Sequence, residues 1–205
     1  MKPSIGFLFL GKTHTEYFDV SLCLSKYGLE SHLIDLNNSD HIKWDGYSLI
    51  NVRECRGYHL DPDFLHKVEI LENGLGSTPI TNSLAIIRAA TDKGKYLQEL
   101  EQDGVDIIPS FWLKRGATVT LEDVIRETGW HDLVVKPTIS SQCWNTYRVV
   151  KHASGMEIIR AENQIPFVLK NVAFEHHQVF AELLKSNDVC FQKFMPEILS
   201  RGELS

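Results

Sequence analysis

Four short apolar runs, spaced by amphipathic stretches and glycine stops, constrain this chain more than any other feature. Ile5-Gly6-Phe7-Leu8-Phe9-Leu10 ends at Gly11, and Tyr17, Val20, Leu24 and Tyr27 then recur at helical spacing up to Gly28. Strand-like His32-Leu33-Ile34-Asp35-Leu36 and Tyr47-Ser48-Leu49-Ile50-Asn51-Val52 follow. Asp61-Pro62-Asp63 predicts a helix opened by an aspartate cap and a first-turn proline, with Phe64, Leu65, Val68 and Leu71 as its apolar stripe before Gly74 and Gly76. Pro79-Ile80-Thr81-Asn82 supplies the fourth strand. Such βαβ alternation implies a parallel sheet, whose ligand sites fall at the strand C-termini.

The remainder has a different grammar. A short apolar helix follows Asn82-Ser83, and Asp92-Lys93 opens another that ends at Asp103-Gly104, with Val105-Asp106-Ile107-Ile108-Pro109 returning as a strand. A domain boundary near residue 90 is expected. Thr120-Leu121-Glu122-Asp123 has the form of a capping box for a helix running to Gly129. Strands at Leu133–Pro137 and Trp144–Val150, joined by the polar loop Thr138–Cys143, a helix over Val172–Lys185 and a strand over Val189–Phe194 give a β-β-α-β order. The expected fold class is therefore α/β, with a parallel-sheet domain over 1–90 followed by an α+β unit over 91–205.

Composition narrows the function classes. With 21 Lys and Arg against 27 Asp and Glu, the 205-residue chain carries a formal charge of −6, too acidic for a protein that coats nucleic acid. No apolar run nears the roughly 20 residues a bilayer-spanning helix needs, and residues 5–10 are too short for a signal-peptide core. Cys23, Cys55, Cys143 and Cys190 are scattered, never as a CxxC pair, so neither a zinc site nor a disulfide framework is indicated and a reducing cytoplasm fits best.

Chemistry concentrates around Leu133-Val134-Val135-Lys136-Pro137. An ammonium at the end of an apolar strand is costly to desolvate unless an anion meets it, and Pro137 stops the strand where the lysine emerges. A lysine snorkelling off a sheet edge is the commoner arrangement for such a segment. Thr138, Ser140, Ser141 and Gln142 add hydroxyl, amide and backbone donors beside it, in a loop that lacks the glycines of a typical phosphate cradle. Asp92-Lys93 reads either as a helix cap with a solvated lysine or as a second phosphate ligand aimed by the helix's first turn.

An ordered set of segments carries a family resemblance. Asn82 through Asp92-Lys93, a leucine-bearing helix, Asp103-Gly104-Val105, Ile108-Pro109-Ser110, Val134-Val135-Lys136-Pro137 and Phe191-Gln192-Lys193-Phe194-Met195-Pro196-Glu197-Ile198 together resemble the ATP-grasp superfamily. Lys136-Pro137-Thr138-Ile139-Ser140, Trp144-Asn145-Thr146-Tyr147-Arg148 and the final Gly202-Glu203-Leu204-Ser205 resemble its glutathione-synthetase and ribosomal-protein-modifying ligase branch, especially the O-ureido-serine cyclo-ligases. The resemblance implies a Rossmann-like pre-ATP-grasp domain, then the small ATP-grasp subdomain, with ATP bound between two lobes. Lys93 and Lys136 match the phosphate-binding lysines, Ser140 and Ser141 fall in the phosphate-covering loop, and Gln192 matches the side chain facing the adenine amino group. Met195 takes the position whose backbone amide meets the ring, and Glu203 that of the ribose-binding acid. Arg53 and Arg56, with Tyr58, fall where the family has an arginine-aromatic segment near substrate, although Cys55 and Gly57 depart from it.

The family continues past this point into a lobe carrying Mg2+ ligands and a substrate arginine, so the 205-residue chain is expected to be a truncated portion of a carboxylate-amine ligase that forms an acyl phosphate. No metal set remains in it. His176-His177 have no partners at metal-like spacing, and Trp44, Trp112, Trp130 and Trp144 read mostly as packing. The expected partners are ATP and a small carboxylate or amine, with a homo-oligomer or a complementing chain, and neither nucleic acid nor membrane. The alternative is a non-catalytic nucleotide-binding or split-subunit module on the same scaffold.

Overall fold

A computed structural model describes residues 2–11, 15–39, 42–161, 166–167 and 172–201. Contacts divide the chain into two compact units, Met1–Thr91 and Asp92–Ser205. The first unit runs β1 (Ser4–Phe9), α1 (Thr15–Lys26), β2 (Glu30–Asp35), β3 (Leu49–Glu54), α2 (Phe64–Gly74), β4 (Ile80–Thr81) and α3 (Leu84–Thr91). Its four strands are parallel in the order β2-β1-β3-β4, the parallel sheet that the βαβ alternation predicts. Leu8 and Ile50 are sealed at the sheet centre, with Phe64, Val68 and Leu71 of α2 against them in one apolar cluster.

The start of α2 corrects one detail. Asp63 makes no side-chain cap; Asp61 instead accepts from the Asp63 N–H at 2.9 Å and from Lys67 Nζ at 2.6 Å, closing the turn before the helix.

The second unit continues with α4 (Lys93–Gln102), β5 (Ser110–Leu113), α5 (Leu121–Thr128), β6 (Asp132–Pro137), β7 (Tyr147–His152), β8 (Gly155–Arg160), β9 (Pro166–Phe167), α6 (Val172–Ser186), β10 (Val189–Lys193) and α7 (Glu197–Arg201). The six strands are ordered β5-β10-β6-β7-β8-β9, and every pair is antiparallel. Both Asp92 and Thr120 cap as expected: Asp92 accepts from the Gly94 N–H, and Thr120 and Asp123 form a reciprocal box. Gly129 ends α5 at φ 69°.

Two expected strands begin later in the chain, and two strands stand where none was expected. Val105–Pro109 is not a strand, because the ladder with β10 begins only at Ser110, opposite Gln192; Pro109 offers a carbonyl to Lys193 but has no N–H to return. Trp144–Thr146 form a turn with Asn145 at φ 49°, so β7 starts at Tyr147. The hairpin partner β8, and β9 beyond it, extend the sheet past the β-β-α-β order.

Candidate functional site

Strand alternation gives the second sheet two chemically opposite faces. Leu133, Val135, Val149, Val189 and Phe191 project into an apolar cluster with Val124 and Phe180, where the Phe191 ring meets Phe180 edge-on at 5.4 Å. On the other face, Ser110, Gln192, Val134 and Arg148 form one cross-strand row and Trp112, Cys190 and Lys136 the next. These rows are ~7 Å apart, two residues along a strand.

The N-terminus of α4 is tied to the loop that leaves β6. Lys93 N–H donates to Thr138 O at 3.0 Å, and the Lys93 ammonium donates to Ser140 O and, at 3.3 Å, to Ser140 Oγ. Ser140 Oγ in turn donates to Pro137 O at 3.1 Å. The fit is close at Gly94, where a Cβ would lie 2.8 Å from Thr138 Cγ2. Burial lowers the Lys93 pKa, and the positive charge of Lys136 lowers it further, so the two ammonium groups feel one another. Among the described residues the Lys136 ammonium has no hydrogen-bond or ion-pair partner, which leaves a positive charge beside the donor-rich loop.

That loop takes an unexpected route. Gln142 and Cys143 adopt φ 53° and 59°, the left-handed region that glycine normally supplies. The lack of glycine therefore does not straighten the backbone; side-chain-bearing residues hold the turn, with Ser141 accepting from the Trp144 N–H at 2.9 Å.

Gln192 lies in the sheet interior rather than at a solvated edge, 7% exposed, and its Nε2 donates to Ser110 Oγ at 3.0 Å. Met195 follows at the turn into α7, and among the described residues its N–H has no acceptor. Glu203 lies outside the described residues. Arg148, whose role the sequence leaves open, grips Asp132 through two bonds of 2.9 and 2.7 Å while its guanidinium sits 3.7 Å from the Phe194 ring centre. It braces β6 and β7 against the chain that leaves β10. Asp188 was also missed: its carboxylate takes Lys114 Nζ and the Arg115 N–H, and its carbonyl takes the Thr138 N–H. A cleft of about 630 Å3 opens along the flank of α4 toward Trp112, Lys114 and Asp188, but neither Lys93 nor Lys136 lines it.

In the first unit, Arg53 and Arg56 converge on one carboxylate, that of Glu16 in the first turn of α1, with Arg53 at 3.6 Å and Arg56 in direct contact. Sequence reasoning passed over Glu16; its place just after the C-terminal end of β1 was the available signal. Tyr58 packs against Phe64 at the rim of the core rather than standing out. Cys55 is buried, its thiol pushed up to about 12 chiefly by burial and then by the charges of Glu54 and Asp35. Gly57 is required sterically, since a Cβ there would come within 2.9 Å of Leu10 O. Among the described residues no group of three or more His, Cys, Asp or Glu side chains is placed to hold a metal ion, and no helix is long and apolar enough to cross a membrane.

The parallel-sheet unit followed by the antiparallel-sheet unit gives this chain the fold of solved ATP-grasp ligases. It is similar to D-cycloserine synthetase DcsG, with TM-score 0.70 and 17% identity over 97% of this chain and 62% of that one. A RimK domain ATP-grasp protein from Sphaerobacter thermophilus superposes with TM-score 0.54 and 14% identity, covering 94% of this chain and 64% of that one. D-Alanine–D-alanine ligase from Bacillus anthracis, complexed with ATP, gives TM-score 0.53 and 16% identity, covering 94% and 59%. The chain thus spans about three fifths of the length of these solved structures. No protein-family model matches the sequence, and no curated protein does.

Proposed function

We propose that the chain binds ATP on the polar face of its antiparallel sheet and forms the nucleotide-binding portion of a carboxylate-amine ligase. Met1–Thr91 would serve as the pre-ATP-grasp domain and Asp92–Ser205 as the nucleotide-binding subdomain. The observation that carries this reading is the tie between Lys93 and the loop that leaves the Lys136 strand, its N–H donating to Thr138 O at 3.0 Å and its ammonium to Ser140. Two half-buried like charges beside one loop oppose one another until an anion meets both. A triphosphate does so, and its γ-phosphoryl group is then held toward an incoming carboxylate.

ATP supplies the phosphoryl group. Attack by a substrate carboxylate oxygen on the γ-phosphorus would release ADP and leave an acyl phosphate, from which an amine nitrogen displaces phosphate to form the C–N bond. The chain's own part is electrostatic: Lys93 and Lys136 offset the triphosphate charge, Ser140 and Ser141 cover it, and Gln192 and the Met195 amide meet the base. Arg53 and Arg56 would bind a substrate carboxylate in exchange for Glu16. Magnesium, which the fold implies, finds no group of three or more His, Cys, Asp or Glu side chains placed to hold it among the described residues. Four free thiols, two of them buried, support a cytoplasmic setting.

Calorimetric titration of this chain with ATP tests the reading. Saturable binding weakened at least about tenfold by Lys136→Ala is expected, since a charge-assisted contact contributes about 1.5–3 kcal/mol. Equal binding by both proteins would remove the phosphate role of Lys136.

A further inference from the structure

The geometry points to Ser110 as the residue that fixes which end of the Gln192 amide faces a bound base, making the site selective for a purine with an amino group at C6 over one with an oxo group. This rests on the reading that Gln192 meets the base. Ser110 opens β5 directly opposite Gln192 on β10. Its hydroxyl has one proton, and that proton goes to Ile108 O at 2.7 Å. Toward Gln192, 3.0 Å away, Ser110 Oγ is therefore left only to accept, so the group facing it is the amide NH2. The reversed amide would set two oxygens 3.0 Å apart with no hydrogen between them.

The neighbouring groups do not alter this assignment. Cys190, also beside Ser110, is a weak rival acceptor for the same proton, and whichever of the two takes it, Ser110 Oγ is left to accept from Gln192. Gln192 is held in a strand flanked on both sides, by β5 and β6. Its Oε1 takes no hydrogen bond among the described residues, yet it is not one of the side-chain atoms sealed from solvent. Turned away from Ser110, Oε1 is the amide atom that meets the substituent at C6. A 6-amino group donates to it, whereas a 6-oxo group sets oxygen against oxygen and leaves a polar atom unmatched.

Affinities for ATP and inosine triphosphate, measured by calorimetry on the wild-type chain and variants, test the proposal. The wild type should favour ATP by about tenfold or more. Ser110→Ala frees the amide to turn, and the ratio should fall to about threefold or less, while Ser110→Thr, which keeps the hydroxyl, should retain it. An unchanged ratio in Ser110→Ala overturns the proposal if Gln192→Leu abolishes the preference. If Gln192→Leu also leaves the ratio intact, the base does not meet Gln192 and the functional reading itself fails there. Melting curves for each variant check that the fold persists.

Discussion

Lys93 is where folding and ligand binding pull against each other. Burial and the Lys136 charge lower its pKa below the usual 10.5, so the folded chain gives up this proton more readily than the unfolded one. The penalty is fully present below the lowered pKa and is relieved as pH rises toward 10.5. Relative to Lys93→Met, wild-type stability should therefore improve across that alkaline window, read as the difference in melting temperature between the two proteins at each pH. Bound triphosphate should restore the proton, so ATP binding in that window should take one up, detectable by calorimetry in buffers of different ionisation enthalpy. Little of this was legible from residue type: a lysine after an aspartate cap looks solvated, and only the Thr138–Ser140 loop folding back over α4 buries it. The pairing of Glu16 was hidden for a similar reason, since its partners lie 37 and 40 positions away in sequence.

The junction of α4 with the β6–β7 loop is the element on which the site depends. Gly94→Ala should strengthen α4 by about 1 kcal/mol in propensity, but its Cβ cannot sit 2.8 Å from Thr138 Cγ2 without moving the loop. The expected outcome is a chain that keeps its helical circular dichroism and binds ATP more weakly. α5 offers a control remote from nucleotide: Thr120→Ala removes the cap and should cost about 1 kcal/mol in urea unfolding with ATP affinity unchanged. The Asp123 half of that box is held at about 2, chiefly by the Thr120 hydroxyl and backbone, so its contribution is complete above 3.8 and fades as pH falls toward about 2. Elements with local signals were readable in sequence: the glycine-ended α1 and α5, the capping box, and β1, β3, β6 and β10. The displaced β5 was not, because its start depends on where β10 stops pairing. β8 was overlooked although Ala153-Ser154-Gly155 before Met156–Arg160 is a hairpin signal.

Across the molecule, each unit has its own apolar cluster, one around Leu8 and Ile50 and the other around Leu133 and Phe191. Phe191→Ala, at a fully buried ring, should cost the second unit about 3–5 kcal/mol. In calorimetric scans the transition of the first unit should stay in place. The α/β class and the parallel sheet of the first unit were legible because periodicity and glycine stops encode them locally. The polar face of the second sheet was not, since it emerges only when register sets Lys136 beside Cys190 and Gln192 beside Ser110. The shared hold of Lys93 and Lys136 on one phosphate chain is tested most directly by the affinities of adenosine, AMP, ADP and ATP for wild type and Lys136→Ala. Wild-type affinity should climb with each added phosphate, and the climb should flatten in the variant. A flat wild-type series, or the same climb in both proteins, would contradict it.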